Sequence, residues 1–247
     1  MSRVWAGMGF LLLVVMPAMA APGLTLTALK PNVYIAEDDF YIRENSLVYV
    51  GRDHVTVIGA TWTPAIAELL VREIKKITPL PVSEVIDTNH DLDRTGGNAY
   101  FRQIGAHIIA TALTRDLLAN EGEAARRSLQ TDFADFPAVP IVLPDTIVGA
   151  DFTLQNGAVR GFYIGPSHKP DDIFVWLPNE KVLYGGCVLK EQLGNMAGAD
   201  PAAYRKTLTA LKAMKLPIET IVAGHWSAVH GPELIDQYLG LLAAYKP

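Results

Sequence analysis

Strand-like runs followed by helix-like segments occur twice along this chain, and that repeated order most constrains its fold. Residues 24–29, 33–37, 40–43, 47–50 and 55–58 are rich in β-branched and aromatic side chains and are separated by turn-like or polar residues, which reads as a meander. Thr63 is placed to cap a helix with Pro64 at its first position, and Ile66, Leu69, Leu70, Ile74 and Ile77 recur at helical spacing. Residues 82–87 read as a strand that runs into a polar loop, 88–97. A short helix (98–104), a strand (106–110), a longer charged helix (112–130) and a Pro-rich mid-chain crossing (136–144) follow. The order then recurs, with strands at 151–154, 159–164, 173–177 and 182–184. A helix capped by Asp200 with Pro201 first carries Tyr204, Leu208, Leu211 and Met214 on one face. A strand at 219–222 and a last helix from Pro232 close the chain. Two such sets predict an α/β protein of two sheets packed together, with helices outside both.

The chain has 247 residues, half of them hydrophobic, which is enough to bury a sizeable core. A single cysteine excludes a disulfide framework, and a formal net charge of −5 argues against a nucleic-acid partner. At the start, Arg3 precedes an apolar run over 8–16, then Pro17 and Ala18-Met19-Ala20, the small-x-small pattern of a leader cleaved after Ala20. The run is shorter than the roughly 20 residues a bilayer span needs, so no membrane attachment is expected once it is removed. Residues 21–247 are then expected as one domain, exported to the periplasm in a source with two membranes. In an oxidising compartment Cys187 is a buried small hydrophobe, a free thiol or a metal ligand.

Candidate chemistry gathers where apolar strands run out. Val85-Ile86 leads toward Asn89, His90, Asp91 and Asp93; Phe162-Tyr163-Ile164 leads to His168; Val182-Leu183-Tyr184 leads through two glycines to Cys187; Ile221-Val222 leads to Gly224-His225. A carboxylate, a thiolate and an imidazole are good zinc ligands, and three of them leave a tetrahedral position open, the layout of a catalytic site. Taken singly, each residue has a plainer reading as a buried small side chain, a satisfied histidine or a polar turn.

With those residues in view the chain resembles the class B, zinc-dependent β-lactamases. The resemblance rests on Thr88-Asn89-x-x-x-Asp93-Arg94-x-Gly96-Gly97-Asn98-Ala99-Tyr100, on Gly165-Pro166-x-His168, and on Tyr184-Gly185-x-Cys187-x-Leu189-Lys190. Leu193-Gly194-Asn195 and Gly224-His225 extend it, and it covers essentially all of 21–247. Asn89, where most members carry a first histidine, makes the chain similar to the second subclass, the mono-zinc enzymes selective for carbapenems. The resemblance implies the metallo-β-lactamase fold, a four-layer αββα sandwich, and hydrolysis of a small β-lactam by a monomer holding one Zn²⁺. It implies Asp93, Cys187 and His225 as the zinc ligands, and Asn89, Asp91 and His168 as the remnant of a second metal site. Catalytic roles would fall to Asp91, Asp93 and His168. Lys190 would pair with the carboxylate of the substrate and Asn195 would lie near the lactam carbonyl, while Arg94 would buttress the loop.

One departure bears on mechanism. The family's motif is Asn-x-His-x-Asp, whereas here Asp91 holds the middle position and the histidine is displaced to His90. Two anionic ligands cancel the formal charge of Zn²⁺, so a bound water is acidified less than at an all-imidazole site and a separate base is useful. Asp91, Asp93 or a reoriented His90 could serve. The altered motif also leaves open a hydrolase of another amide or ester, or a zinc-binding periplasmic protein with little catalysis. In every reading that uses the metal, oxidation of Cys187 would abolish its binding.

Overall fold

The computed structural model describes residues 23–246, so the expected leader at 1–20 lies outside the described residues. The first sheet opens with β1 (Leu24–Lys30), β2 (Val33–Asp38), β3 (Glu44–Val50) and β4 (Val55–Ile58), an antiparallel meander. It continues with β5 (Val82–Ile86), β6 (His107–Thr111) and β7 (Thr146–Val148), all parallel to β4. Parallel neighbours need crossovers. These are α1 (Pro64–Ile77) before β5, α2 (Leu92–Thr95) and α3 (Asn98–Gln103) before β6, and α4 (Ala112–Asp132) before β7.

The second sheet contains β8 (Asp151–Leu154), β9 (Val159–Phe162), β10 (Phe174–Leu177) and β11 (Val182–Gly186) as antiparallel neighbours. Helix α5 (Pro201–Ala213) carries the chain to β12 (Thr220–Ala223), parallel to β11, and β13 (Val229–His230) forms the edge before α6 (Leu234–Ala244).

Period-2 alternation builds the layers. In β3, Leu47 and Tyr49 enter the layer between the sheets while Val48 packs outward against Ala67, Leu70 and Ile74 of α1. In β10, Val175 and Leu177 face inward while Phe174 and Trp176 meet Tyr204, Leu208 and Tyr238 from α5 and α6. The result is the four-layer αββα sandwich expected from the sequence. Each fully buried side chain of this size contributes about 1.5–3 kcal/mol of transfer free energy. The helix starts are local: Thr63 Oγ1 accepts from the Ile66 amide, and Asp200 Oδ1 accepts from Ala202 and Ala203.

Several expectations are corrected. Residues 40–43 form no strand, 40–42 being bends, and β3 starts earlier than expected, at Glu44. The Pro-rich 136–144 segment does not cross between the halves but returns from α4 to β7 of the same sheet; the passage between sheets is Gly149–Ala150. The polar loop over 88–97 contains α2, and Ile77, expected on the buried face, is 40% exposed. Among the described residues no helix is long and apolar enough to cross a membrane.

Candidate metal centre

The first turn of α2, just after β5, delivers Asp93, the turn after β11 delivers Cys187, and the turn after β12 delivers His225. Asp93 Oδ2 lies 3.2 Å from Cys187 Sγ and 3.1 Å from His225 Nε2, and Sγ lies 3.7 Å from that Nε2. Ligands of a tetrahedral ion at zinc distances stand about 3.4–3.6 Å apart. One carboxylate, one thiol and one imidazole in this triangle therefore fit zinc in both spacing and donor type. His225 Nδ1 donates to the Arg43 carbonyl at 3.0 Å, which leaves the Nε2 lone pair facing the triangle.

Close backbone approach makes this convergence possible. A Cβ on Gly224 would stand 2.5 Å from the Gly186 carbonyl, so only glycine lets β12 end against β11 here. Asn45 then ties the turn to β3: its amide N–H donates to Gly224 O, and its Nδ2 donates to Ala223 O at 2.8 Å and to Trp226 O at 3.2 Å. Those bonds hold Trp226 at a φ of 58°, a left-handed conformation that costs a bulky residue about 1–3 kcal/mol.

Arg94 lies fully buried behind the triangle. Its Nε donates to Cys187 Sγ at 3.2 Å and sits 3.0 Å from Asp93 Oδ2. Its Nη atoms reach Glu44, Asn45 O, Tyr184 Oη and Gly224 O. The buttressing position expected for Arg94 matches these contacts, and it does not line the cleft.

Burial would raise the Asp93 carboxyl, but Arg94 and the His225 hydrogen bond outweigh it and hold Asp93 well below the usual carboxylate range. Burial lowers His225, with Arg94 acting in the same direction, so the imidazole is neutral. Burial pushes the Cys187 thiol up, partly opposed by Arg94. A neutral, 2% exposed thiol is a slow nucleophile, so the oxidative vulnerability read from the sequence is blunted by burial.

The expected second cluster is only partly gathered. His168 and Asp91 line the cleft beside the triangle. Burial lowers His168 well below the usual imidazole range, and its Nδ1 has no partner among the described residues. Asn89 is turned away: its Nδ2 donates to Asp172 Oδ1 at 2.7 Å and its Oδ1 accepts from the Asp91 amide at 2.9 Å. Asp91 Oδ1 pairs with Lys169 Nζ at 2.9 Å. Its carboxyl is raised, first by burial, with Lys169 pulling the other way. His90 does not face the cleft: its Nδ1 binds Asp171 Oδ1 at 2.8 Å. Reorienting it would strand a buried carboxylate, so the alternative in which His90 moves to the centre finds no support in this geometry.

The cleft holds about 340 Å³ and has apolar walls at Ile42, Trp62, Leu92 and Trp226. Lys190 lines it but is 2% exposed, with Nζ donating to the Cys187 carbonyl at 2.7 Å. Asn195 lines the rim and is exposed. Three contributors were not singled out from the sequence. Lys169 is adjacent to the noted His168; Glu44 is a buried partner of Arg94; Asp172 clamps Asn89 and the Lys169 amide. Only the first carried a local signal, its place in the Gly165-Pro166-x-His168 turn.

A model of the Metallo-beta-lactamase superfamily matches residues 42–225. The chain is 25% identical over 232 residues to "Metallo-beta-lactamase type 2" of Bacteroides fragilis, covering 87% of both chains. It is 29% identical over 185 residues to "Metallo-beta-lactamase IND-1" of Chryseobacterium indologenes, covering 73% of this chain and 71% of that protein. Among solved structures, DIM-1 metallo-beta-lactamase exposed to ceftazidime superposes with a TM-score of 0.77 at 21% identity, covering 90% of this chain and 97% of that one. A metallo-beta-lactamase from Erythrobacter litoralis gives 0.76 at 24% identity over the same shares. These superpositions show a shared fold.

Proposed function

The chain belongs to the metallo-beta-lactamase superfamily, and we propose that it hydrolyses the amide bond of β-lactams, preferentially carbapenems, with one zinc held by Asp93, Cys187 and His225. The observation that carries the reading is the donor triangle at the floor of a cleft whose other polar groups include a carboxylate, an imidazole and an ammonium. The names of the relatives support β-lactams as the substrate class. The leader read from residues 1–20 supports export, and we place the protein in the periplasm as a monomer.

When bound, zinc supplies Lewis acidity for the charge that builds as the strained ring opens. Asp91 accepts a proton from the attacking water. Its upward shift by burial moves it toward the neutral range, where a general base works best. Asp93, already ionised, is fixed by Arg94 and contributes position and charge rather than basicity. His168, kept neutral by burial and with its Nδ1 unpartnered among the described residues, orients water or the substrate carbonyl from the adjacent wall. Lys190 offers its ammonium to the substrate carboxylate from beneath, and Asn195 closes over the carbonyl from the rim. Trp62 and Trp226 supply apolar walls for the bicyclic body.

A hydrolase of another amide or ester is the second reading, favoured by the Asp91–Lys169 ion pair, which changes the charge beside the attacking water. Turnover of a carbapenem and of an amide and ester panel, with zinc counted by mass spectrometry, separates the two. Carbapenem hydrolysis that needs one equivalent of zinc and stops with chelator is expected. No hydrolysis of any β-lactam at one equivalent would sink the proposal, and turnover of another panel member would establish the second reading.

A further inference from the structure

The loop over 165–172 brings two residues to the wall beside the triangle. His168 leaves its Nδ1 without a partner among the described residues, and Lys169 puts Nζ 2.9 Å from Asp91 Oδ1. This placement is built rather than loose. Asp172 Oδ2 accepts from the Lys169 amide at 2.6 Å and from Ser167 Oγ at 2.9 Å, while its Oδ1 accepts from Asn89 at 2.7 Å. One buried carboxylate thus clamps the lysine loop and the Asn89–Asp91 loop in a single register. The clamp also spends the Asn89 side chain, leaving Asp91 and His168 as the only members of the expected second cluster that face the cleft.

From this geometry we infer that the Lys169 ammonium is the resident cation of the second cluster, and that it, together with the turned-away Asn89, holds the chain to one metal. The inference rests on the one-zinc reading of Asp93, Cys187 and His225 and extends it. A second divalent ion finds only two protein donors there, Asp91 and His168. It must also displace an ammonium already neutralising Asp91 and then sit beside that positive charge. At one zinc the two groups of charges each close: the ion against Asp93 and the Cys187 thiolate, Lys169 against Asp91. Removing the lysine leaves an uncompensated carboxylate next to an unpartnered imidazole, a pair that attracts a cation and can complete its shell with water.

The test is zinc content of the full-length protein under a range of free zinc, by equilibrium dialysis with elemental analysis, for wild type, K169R, K169Q and K169A. Wild type and K169R are expected to hold one equivalent. K169Q and K169A are expected to gain a second, bound at least about tenfold more tightly than any second ion in wild type. In the cobalt-substituted protein the second ion should add absorption in the d–d region without adding thiolate charge-transfer intensity, because no cysteine lies in that cluster. Adding D91N to K169A should remove the second equivalent. If K169Q and K169A both stay at one equivalent, the inference is overturned while the one-zinc reading stands. Two equivalents in wild type would overturn both, and none in wild type would remove the Asp93–Cys187–His225 site and the inference with it.

Discussion

Arg94 Nε donates to Cys187 Sγ across 3.2 Å while the same guanidinium sits 3.0 Å from Asp93. One buried cation from the first half of the chain therefore aligns two of the proposed zinc donors, and through Gly224 O it also fixes the backbone that presents the third. R94A should destabilise the fold by about 3–5 kcal/mol, because it leaves Asp93 and Glu44 buried without their counter-charge. Zinc affinity should fall by about 10- to 100-fold. R94K should recover little of either, since an ammonium cannot reach the same partners in a planar fork. Urea denaturation and zinc competition assays measure the two losses separately; a variant with wild-type affinity would show that the contact is incidental.

Zinc uptake should release one proton. Asp93 is held low and is already ionised, His225 is lowered and already neutral, and only the raised Cys187 thiol must deprotonate. Apparent zinc affinity should thus rise about tenfold per pH unit between roughly pH 6 and 8. Calorimetry in buffers of differing ionisation enthalpy counts the proton directly, and a slope near zero would mean the thiol does not ligate. In the same experiments C187S should lose zinc at concentrations that saturate wild type.

Asp91 is the residue whose replacement discriminates most sharply. D91N should lower kcat by about 10²–10⁴ with zinc content unchanged, as expected for loss of a general base. D91H should also lose activity, because an imidazole cannot pair with Lys169 and would leave its ammonium uncompensated. A large gain in D91H would instead mark the native loop as catalytically impaired.

Asp38 gives a pH signature that belongs to the fold. It lies opposite Glu44 in the β2–β3 ladder, neither oxygen finds a donor among the described residues, and burial raises its carboxyl to about 7. The folded state therefore binds this proton more tightly than the unfolded state does. Its contribution is fully favourable below about pH 4 and declines as pH rises to about 7, by at most about 4 kcal/mol. D38N should flatten that part of the stability–pH curve and be the more stable protein at pH 8. Denaturant midpoints at pH 5 and pH 8 check it, and parallel curves for the two proteins would refute the assignment.

The features legible in the sequence were those with local causes. Thr63-Pro64 and Asp200-Pro201 mark helix starts because a cap and a pre-set φ act within one turn. Glu44-Asn45-Ser46 was not legible as strand, because three polar residues in a row suggest solvent. Their partners, Arg94, Gly224 and Gly59, come from elsewhere in the chain and bury them. Residues 40–43 look like a strand by composition, yet their carbonyls serve Trp62 and His225 instead of a ladder. The two-residue β13 and three-residue β7 are too short to carry a period. At the site, the three residues that form the triangle could be picked out from strand ends and family resemblance. The pairing of Asp91 with Lys169 could not, since it depends on how Asp172 registers two distant loops.

The passage at Gly149–Ala150 divides the molecule so that Asp93 lies before it and Cys187 and His225 lie after it. Neither half owns a site. On the one-zinc reading the ion is a clasp added to the apolar layer that already joins two half-molecules. Two pieces of a chain severed at that exposed step should therefore hold each other more tightly with zinc than without it.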